Sequence, residues 1–544
     1  MTSDVTTRRP GVPRDPVPDG FHVYDTTLRD GTQQEGLSLS VHDKLSVARH
    51  LDDLGVGFIE GGWPGANPKD AEFFRRAKTE LNLRHATLAA FGATRRAHAV
   101  TADDAQVAAL RDAETPVICL VAKSDVRHVH KALRTTLKEN LMMISDTVAH
   151  LTAEGRRVFL DAEHFFDGYR ADPNYATEVV RTAAAAGADV IVLCDTNGGM
   201  LPNRLTDIVA DVLDASGARL GIHCHNDTAC AVANTLAAVD AGVTHVQGCA
   251  NGYGERAGNA DLFSVIADLE VKMGRLVLPP GRIGELVRVS HAIDEVANLT
   301  PQPHRPYVGV SAFAHKAGLH ASAIKVDPAL YQHVDPGLVG NDMRMLVSEL
   351  AGRATVELKS RELGLDLTDD RATTGRVVDR IKELEARGFV FEAAEASFEL
   401  LLRSEIDGLP RFYDLESWRV IVERRSSHEV VSEATVKLRT RGERIVATAE
   451  GNGPVNALDR ALRQALEKTY PGLADLDLVD YKVRILEGKQ GTAAVTRVLV
   501  ETSDGNSEWT TVGVDENVVA ASWHALEDAV SYGLMRQNAM PDEV

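Results

Sequence analysis

From residue 21 to about 275 the chain alternates two apolar rhythms. Short runs rich in β-branched and aromatic residues read as buried strands: "FHVYDT", "GVGFIEGG", "RHATLAAFG", "TPVICLVAKS", "RRVFLDAEHF", "ADVIVLCDTNG", "RLGIHCHND" and "THVQGCANG". Between them lie stretches such as "VHDKLSVARHLDDLG", "NPKDAEFFRRAKTE", "NYATEVVRTAAAAGAD" and "TACAVANTLAAVDAG". Their apolar residues recur at three and four, the period of a helix with one buried face. Gly55, Gly155, Gly187 and Gly242 stand where such helices end, the place of a left-handed cap. Eight strand–helix units in about 250 residues match the count and length of a closed (β/α)8 barrel, the TIM barrel. An open doubly wound sheet alternates in the same way but favours a glycine-rich phosphate loop after its first strand. "DTTLRDGTQQEG" is not such a loop, so the barrel is the expected architecture.

The rhythm then changes twice. A stretch rich in Pro, Gly and His, "TPQPHRPYVGVSAFAHKAGLHASAIKVDPALYQHVDPGLVGN", is followed by a charge-laced helical run. From 416 the order strand-strand-strand-helix appears twice, each copy about 60 residues long, as in a pseudo-symmetric α+β module. The expected α/β organisation is therefore a flexible tail (1–20), a barrel (21–285), a connector with a helical subdomain (286–415), and an α+β domain of two repeats (416–540).

A barrel of this kind works at the carboxyl ends of its strands, and polar residues gather there. Arg29 and Asp30 follow the first strand, Glu60 ends the second, and Glu163 with His164 ends the fifth. Asp195 and Asn197 end the sixth, His223 and His225 close the seventh, and Asn251, Glu255, Arg256 and Asn259 follow the eighth. In "HCH" the two imidazoles share one face of a strand, about 7 Å apart along it. With Asp30 on the same rim they can converge on one divalent cation and leave coordination positions open. A buried histidine pair without a metal is the plain alternative, and Asn259 on the rim tips the reading toward the metal.

Composition narrows the partners. The 544 residues carry a formal charge of -20, which argues against a broad nucleic-acid or anionic-membrane surface and allows only a local basic pocket. Five cysteines with no C-x-x-C pair suit a reducing compartment. With no run near the ~18 apolar residues of a membrane span and no apolar core in the N-terminal segment, a cytoplasmic protein is expected.

Three segments, "DTTLRDGTQQEG", "GIHCHND" and "GCANGYGERAGNADL", together resemble the isopropylmalate, homocitrate and citramalate synthase family. Hydroxymethylglutaryl-CoA lyase is a barrel-only relative of that family. "EGGWPGANPKDAEFF" and "YDTTLRDGTQQEGLSLS" are most similar to its citramalate-forming branch, which uses pyruvate in isoleucine biosynthesis. The resemblance implies an acyltransferase that joins acetyl-CoA, as co-substrate, to an α-keto acid. It implies a catalytic role for the barrel (21–285) and a regulatory or dimerisation role for the repeats (416–540). It implies Asp30, His223 and His225 as ligands of a divalent metal (Mg²⁺ or Mn²⁺, with Zn²⁺ the alternative), and Asn259 as a further ligand. Arg29 matches the arginine facing the keto oxygen, Gln33 and Thr196 accompany it in substrate binding, and Glu163 matches a glutamate beside the active site. His320, in "KAGLHASA", matches a catalytic histidine that reaches the partner subunit's barrel, with Tyr331 on the same arm. Ser322 departs from the aspartate of several members, which bears on proton relay around His320. The implied partners are pyruvate, isoleucine as feedback effector, and a second copy of the chain in a homodimer or larger oligomer. Two other readings stand beside this one: a synthase of the same family using a larger keto acid, and a non-catalytic amino-acid sensor on an inactive barrel.

Overall fold

The computed structural model describes residues 20–541 except Glu349, Asp366, Thr368, Asp369, Asp407, Ser427 and 487–492. The tail read at 1–20 lies, but for Gly20, outside the described residues. The chain forms two compact units. One runs through Phe313 and takes back Val334–Asp342; the other holds Ala314–His333 and the chain from Met343.

The first unit is the expected barrel. Its strands are β1 (His22–Asp25), β2 (Phe58–Glu60), β3 (Thr87–Ala93), β4 (Val117–Lys123), β5 (Arg157–Glu163), β6 (Val190–Asp195), β7 (Leu220–Cys224) and β8 (His245–Gly248). They pair in sequence order, all parallel, and β8 closes on β1 from His22↔His245 to Asp25↔Gly248. The strands read as continuous apolar runs because helices cover one face and barrel contents the other; every residue of β6 is buried. The helix starts are written locally. Ser40 and Asp43 form a capping box ahead of Val41–Leu54, and Asn67 caps Pro68–Glu80 with proline in its first turn. Gly55 ends the first helix at φ 98°, where a side chain would also strike Pro279.

Two layers fill the barrel. Below, Tyr24, Phe58, Phe159 and Val192 form an apolar plug. Among and above them sit buried polar groups, including His245, Gln247, Asp161 and His223. Past β8 the chain stays with the barrel. Helix Leu286–Val296 packs Leu286, Val289 and Ile293 into the same core, and the buried Asp294 binds Arg305 at 2.7 Å.

The second unit begins with helices Gly318–Val326, Arg353–Glu362, Arg371–Ala386 and Glu395–Ile406. Two copies of strand-strand-strand-helix follow. The first comprises Asp414–Arg424, Val430–Thr440, Glu443–Gly451 and helix Pro454–Leu466. The second comprises Asp477–Ile485, Thr496–Ser503, Glu508–Asp515 and helix Val518–Arg536. Each makes a three-stranded antiparallel sheet in chain order, and each first strand shifts register near its start, at Leu415/Ser417 and at Leu478/Asp480. The matching irregularity supports a true repeat. Leu458, Leu462, Val498, Val500 and Leu526 lie in one core, so the copies fold together.

Candidate metal and catalytic site

The β1–α turn carries Arg29 and Asp30 to the barrel's carboxyl rim, and β7 delivers His223 and His225. Asp30, His223 and His225 are 4–5% exposed, and their ligating atoms all lie within 4.8 Å of one another. Asp30 Oδ2 is 3.2 Å from His223 Nε2 and 3.7 Å from His225 Nε2, and the two nitrogens are 3.3 Å apart. Ligands about 2.1 Å from one cation stand roughly 3.0–3.4 Å from each other, so two of these spacings fit a shared ion and the third is slightly wide.

The hydrogen-bond inventory agrees. Asp30 Oδ2 and Asn259 Oδ1 are buried with no hydrogen-bond partner among the described residues, an arrangement that ordinarily costs about 1–3 kcal/mol per group. A cation would answer both. Asn259 pairs its backbone with His225, and its amide nitrogen donates to Tyr253 O at 3.0 Å. Gly254, at φ 146°, lets the loop close this tightly, because a Cβ there would stand 2.2 Å from Asn259 Nδ2. The residues present therefore fit a divalent metal.

The electrostatics point the same way. Burial pushes the Asp30 carboxyl up, but Arg29 and the two histidines outweigh it and hold the group well below the usual carboxylate range. Burial, then His223, pushes His225 down to about 4, which keeps it neutral and able to ligate. For His223 burial disfavours the charged ring, yet the hydrogen bond and charge of Asp30 prevail and push its pKa up, so a metal here would have to displace a proton.

Arg29 is clamped. Its Nε donates to Glu60 Oε1 at 2.5 Å, its Nη1 donates to Asp30 Oδ1 at 3.1 Å, and its guanidinium lies 3.9 Å from the Phe91 ring centre. Tyr24 donates to the other Glu60 oxygen at 2.7 Å. A cavity of about 640 Å³ opens over these groups, and Arg29, Asp30, Gln33, Glu163, Thr196, His223 and His225 all line it. Trp63, Phe91 and Val121 give it apolar wall.

Other sequence-read positions divide. Glu163 is ion-paired with Lys123, and Thr196 Oγ1 accepts from the His164 backbone at 2.8 Å. Asp195 anchors a turn through Gly199 and Met200, and Asn251 binds Asp294, so both serve the frame. His320 and Tyr331, in the second unit, stack on each other at 4.1 Å. Sequence reading assigns no role to Asp161, Gln247 or the tyrosine behind Glu60. The available signal was a polar residue two places from another on an apolar strand: Asp161 before Glu163, and Gln247 after His245.

Comparison with known proteins gives three successive matches: HMGL-like over residues 21–293, homocitrate synthase post-HMGL domain-like over 307–388, and LeuA allosteric (dimerisation) domain over 392–534. The (R)-citramalate synthase of Streptomyces coelicolor is 68% identical, covering 96% of this chain and 98% of that one. The (R)-citramalate synthase of Aquifex aeolicus is 48% identical over 95% and 98%, and the 2-isopropylmalate synthase of Methanocaldococcus jannaschii 30% identical over 95% and 95%. The Arg-Asp and His-x-His rim thus sits in a chain matched from end to end, and the chain belongs to the HMGL-like family, on its (R)-citramalate synthase branch.

Proposed function

We propose that this enzyme condenses acetyl-CoA with pyruvate and water to give citramalate and free CoA, within isoleucine formation. The observation that carries the proposal is the buried Asp30–His223–His225 cluster with the half-buried Arg29 beside it, at the floor of the barrel cavity. Asp30, His223 and His225, with Asn259 Oδ1 beside them, would hold a divalent ion, for which Mg²⁺ or Mn²⁺ is proposed. When bound, such an ion supplies a Lewis acid that polarises a keto carbonyl.

The chain's own groups do the rest. Glu60 occupies the Arg29 Nε, so the guanidinium keeps one orientation with charge directed at the rim. There it would stabilise negative charge growing on the former keto oxygen, a contribution of ~3–4 kcal/mol for one well-placed donor. Gln33 and Thr196 are the proposed polar contacts of the keto acid, and Glu163, held by Lys123, stands beside them. The Trp63–Phe91 wall, with ring centres 5.3 Å apart, keeps water from the acceptor's methyl group. His320, with Tyr331 against its ring, is the proposed acid–base group for the acetyl methyl proton; imidazole suits that task near neutral pH, at typically ~10²–10⁴-fold.

The second unit offers a regulatory counterpart. Both "EGNGPVNA" and "VGVDENVV" contribute to one cavity of about 950 Å³, lined by Asn452, Gly453, Asn456, Tyr481, Val518 and Val519 among others. We assign it to isoleucine as feedback effector. The match to a dimerisation domain supports a homodimer.

A keto-acid panel with acetyl-CoA, following free CoA with a thiol reagent, tests the reading. Pyruvate should give the highest kcat/KM. Preference for 2-oxoisovalerate or 2-oxoglutarate would move the enzyme to a sister activity, and no thiol release with any acid would leave an amino-acid sensor.

A further inference from the structure

His223 Nδ1, the ring nitrogen turned away from Asp30, meets Gln247 Oε1 at 2.8 Å. Gln247 reaches across the barrel from β8, and its Nε2 donates to Asp161 Oδ1 on β5 at 3.0 Å. All three side chains are buried, at 5%, 1% and 4% exposure. The chemistry leaves one orientation for the amide. With Asp161 Oδ1 as the acceptor, Gln247 turns its NH₂ toward Asp161 and its oxygen toward His223. His223 Nδ1 must then carry a proton, and the neutral ring is left with its lone pair on Nε2, facing Asp30 and His225. Cys119 Sγ, 3.2 Å from the same Asp161 oxygen, helps hold that carboxylate in place.

We propose that Gln247, anchored on Asp161, is a positioning residue for the metal: it fixes the tautomer and ring orientation in which His223 can ligate. The assignment rests on the metal reading above. It extends the site below the cavity floor, to a neutral amide that touches neither substrate nor ion. Outer groups that orient ligating histidines typically change metal affinity by 10–100-fold when removed.

The test measures Mn²⁺ binding to the full-length, chelator-stripped enzyme by electron paramagnetic resonance of the free ion, without substrates. Gln247→Met keeps the volume and removes the hydrogen bonds to His223, Asp161 and His245; its dissociation constant should rise about 10–100-fold. The double variant Gln247→Glu with Asp161→Asn reverses the polarity of the lower bond. The carboxylate introduced on β8 would still accept from His223, and the amide introduced on β5 would donate to that carboxylate. Affinity should return to within about threefold of the natural protein, a restoration that packing alone would not produce. Gln247→Met binding Mn²⁺ like the natural protein overturns the proposal. So does a folded double variant as weak as Gln247→Met. A natural enzyme that binds no Mn²⁺ would instead remove the metal reading itself.

Discussion

Two cavities of this chain, one in each unit, are built on opposite principles. The barrel cavity, about 640 Å³, is lined at its floor by Arg29, Asp30, Asp161 and two histidines, with the buried Glu60 behind Arg29. Buried oxygens on Asp30 and Asn259 lack partners among the described residues. The C-terminal cavity, about 950 Å³, is lined by loop amides, an aromatic ring, aliphatic side chains and the carboxylates of Asp459, Glu467 and Asp477, and its arginine is already engaged: Arg463 binds Asp459 at 2.8 Å and two backbone carbonyls. Crowded, desolvated charge suits a site that must stabilise charge as it develops. A roomier pocket of loop amides and aliphatic side chains, with Arg463 paired to Asp459 and the carboxylates of Glu467 and Asp477 at exposed positions, suits recognition of a small finished molecule. On the proposed reading, chemistry belongs to one unit and sensing to the other.

The comparison breaks most sharply at Asp30 and His223. Asp30→Asn or His223→Ala should lower kcat/KM by on the order of 10³-fold or more, with the circular dichroism of the folded barrel retained. Near-normal turnover in either variant would contradict the assignment. Arg29→Ala comes next, at about 10²–10³-fold in kcat, and it also strands Glu60 without its cation. Burial already pushes the Glu60 carboxyl up despite Arg29, so the variant should also lose thermal stability.

A smaller effect belongs to the other cavity. Tyr481→Ala should leave the uninhibited rate within about twofold and weaken inhibition by isoleucine, by a factor within the ~5–150-fold range of usual allosteric couplings. Inhibition curves that superimpose on those of the natural enzyme would place the effector elsewhere.

The smallest expected effect is a pH slope in the second unit. Burial pushes the Asp528 carboxyl up to about 7, and its partner is Ser397 Oγ, at 2.6 Å. The unfolded value is about 3.9. Between the two the folded state holds a proton that the unfolded chain releases, so this group's stabilisation is full below pH ~4 and is lost as pH rises through 7. Asp30 has the opposite sign: its contribution is lost as pH falls. Asp528→Asn should flatten the stability profile between pH 4 and 7, by at most about 1.4 kcal/mol per pH unit. An unchanged slope in chemical denaturation at several pH values would show that Asp528 is ionised in the fold.

What was legible in the sequence follows from range. Strand and helix rhythms are local, so all eight barrel strands and both C-terminal repeats could be read. His223 and His225 stand two residues apart, and strand geometry alone puts them on one face. Gln247 and Asp161 are 86 positions apart, Arg29 and Glu60 31, and only barrel closure makes them neighbours. A lone amide in "HVQG" also gives no compositional signal. The strand-end reading is too generous for Asp195 and Asn251, whose polar atoms satisfy backbone and helix rather than the cavity. After β8, composition changes before the packing does: helix Leu286–Val296 needs cover for its apolar face, and it finds that cover on the barrel.

The most direct test of the division between the two cavities is metal removal. CoA release from acetyl-CoA and pyruvate should vanish after EDTA treatment and return on adding Mg²⁺ or Mn²⁺, in full-length enzyme free of isoleucine. Undiminished turnover in metal-free buffer would contradict the account.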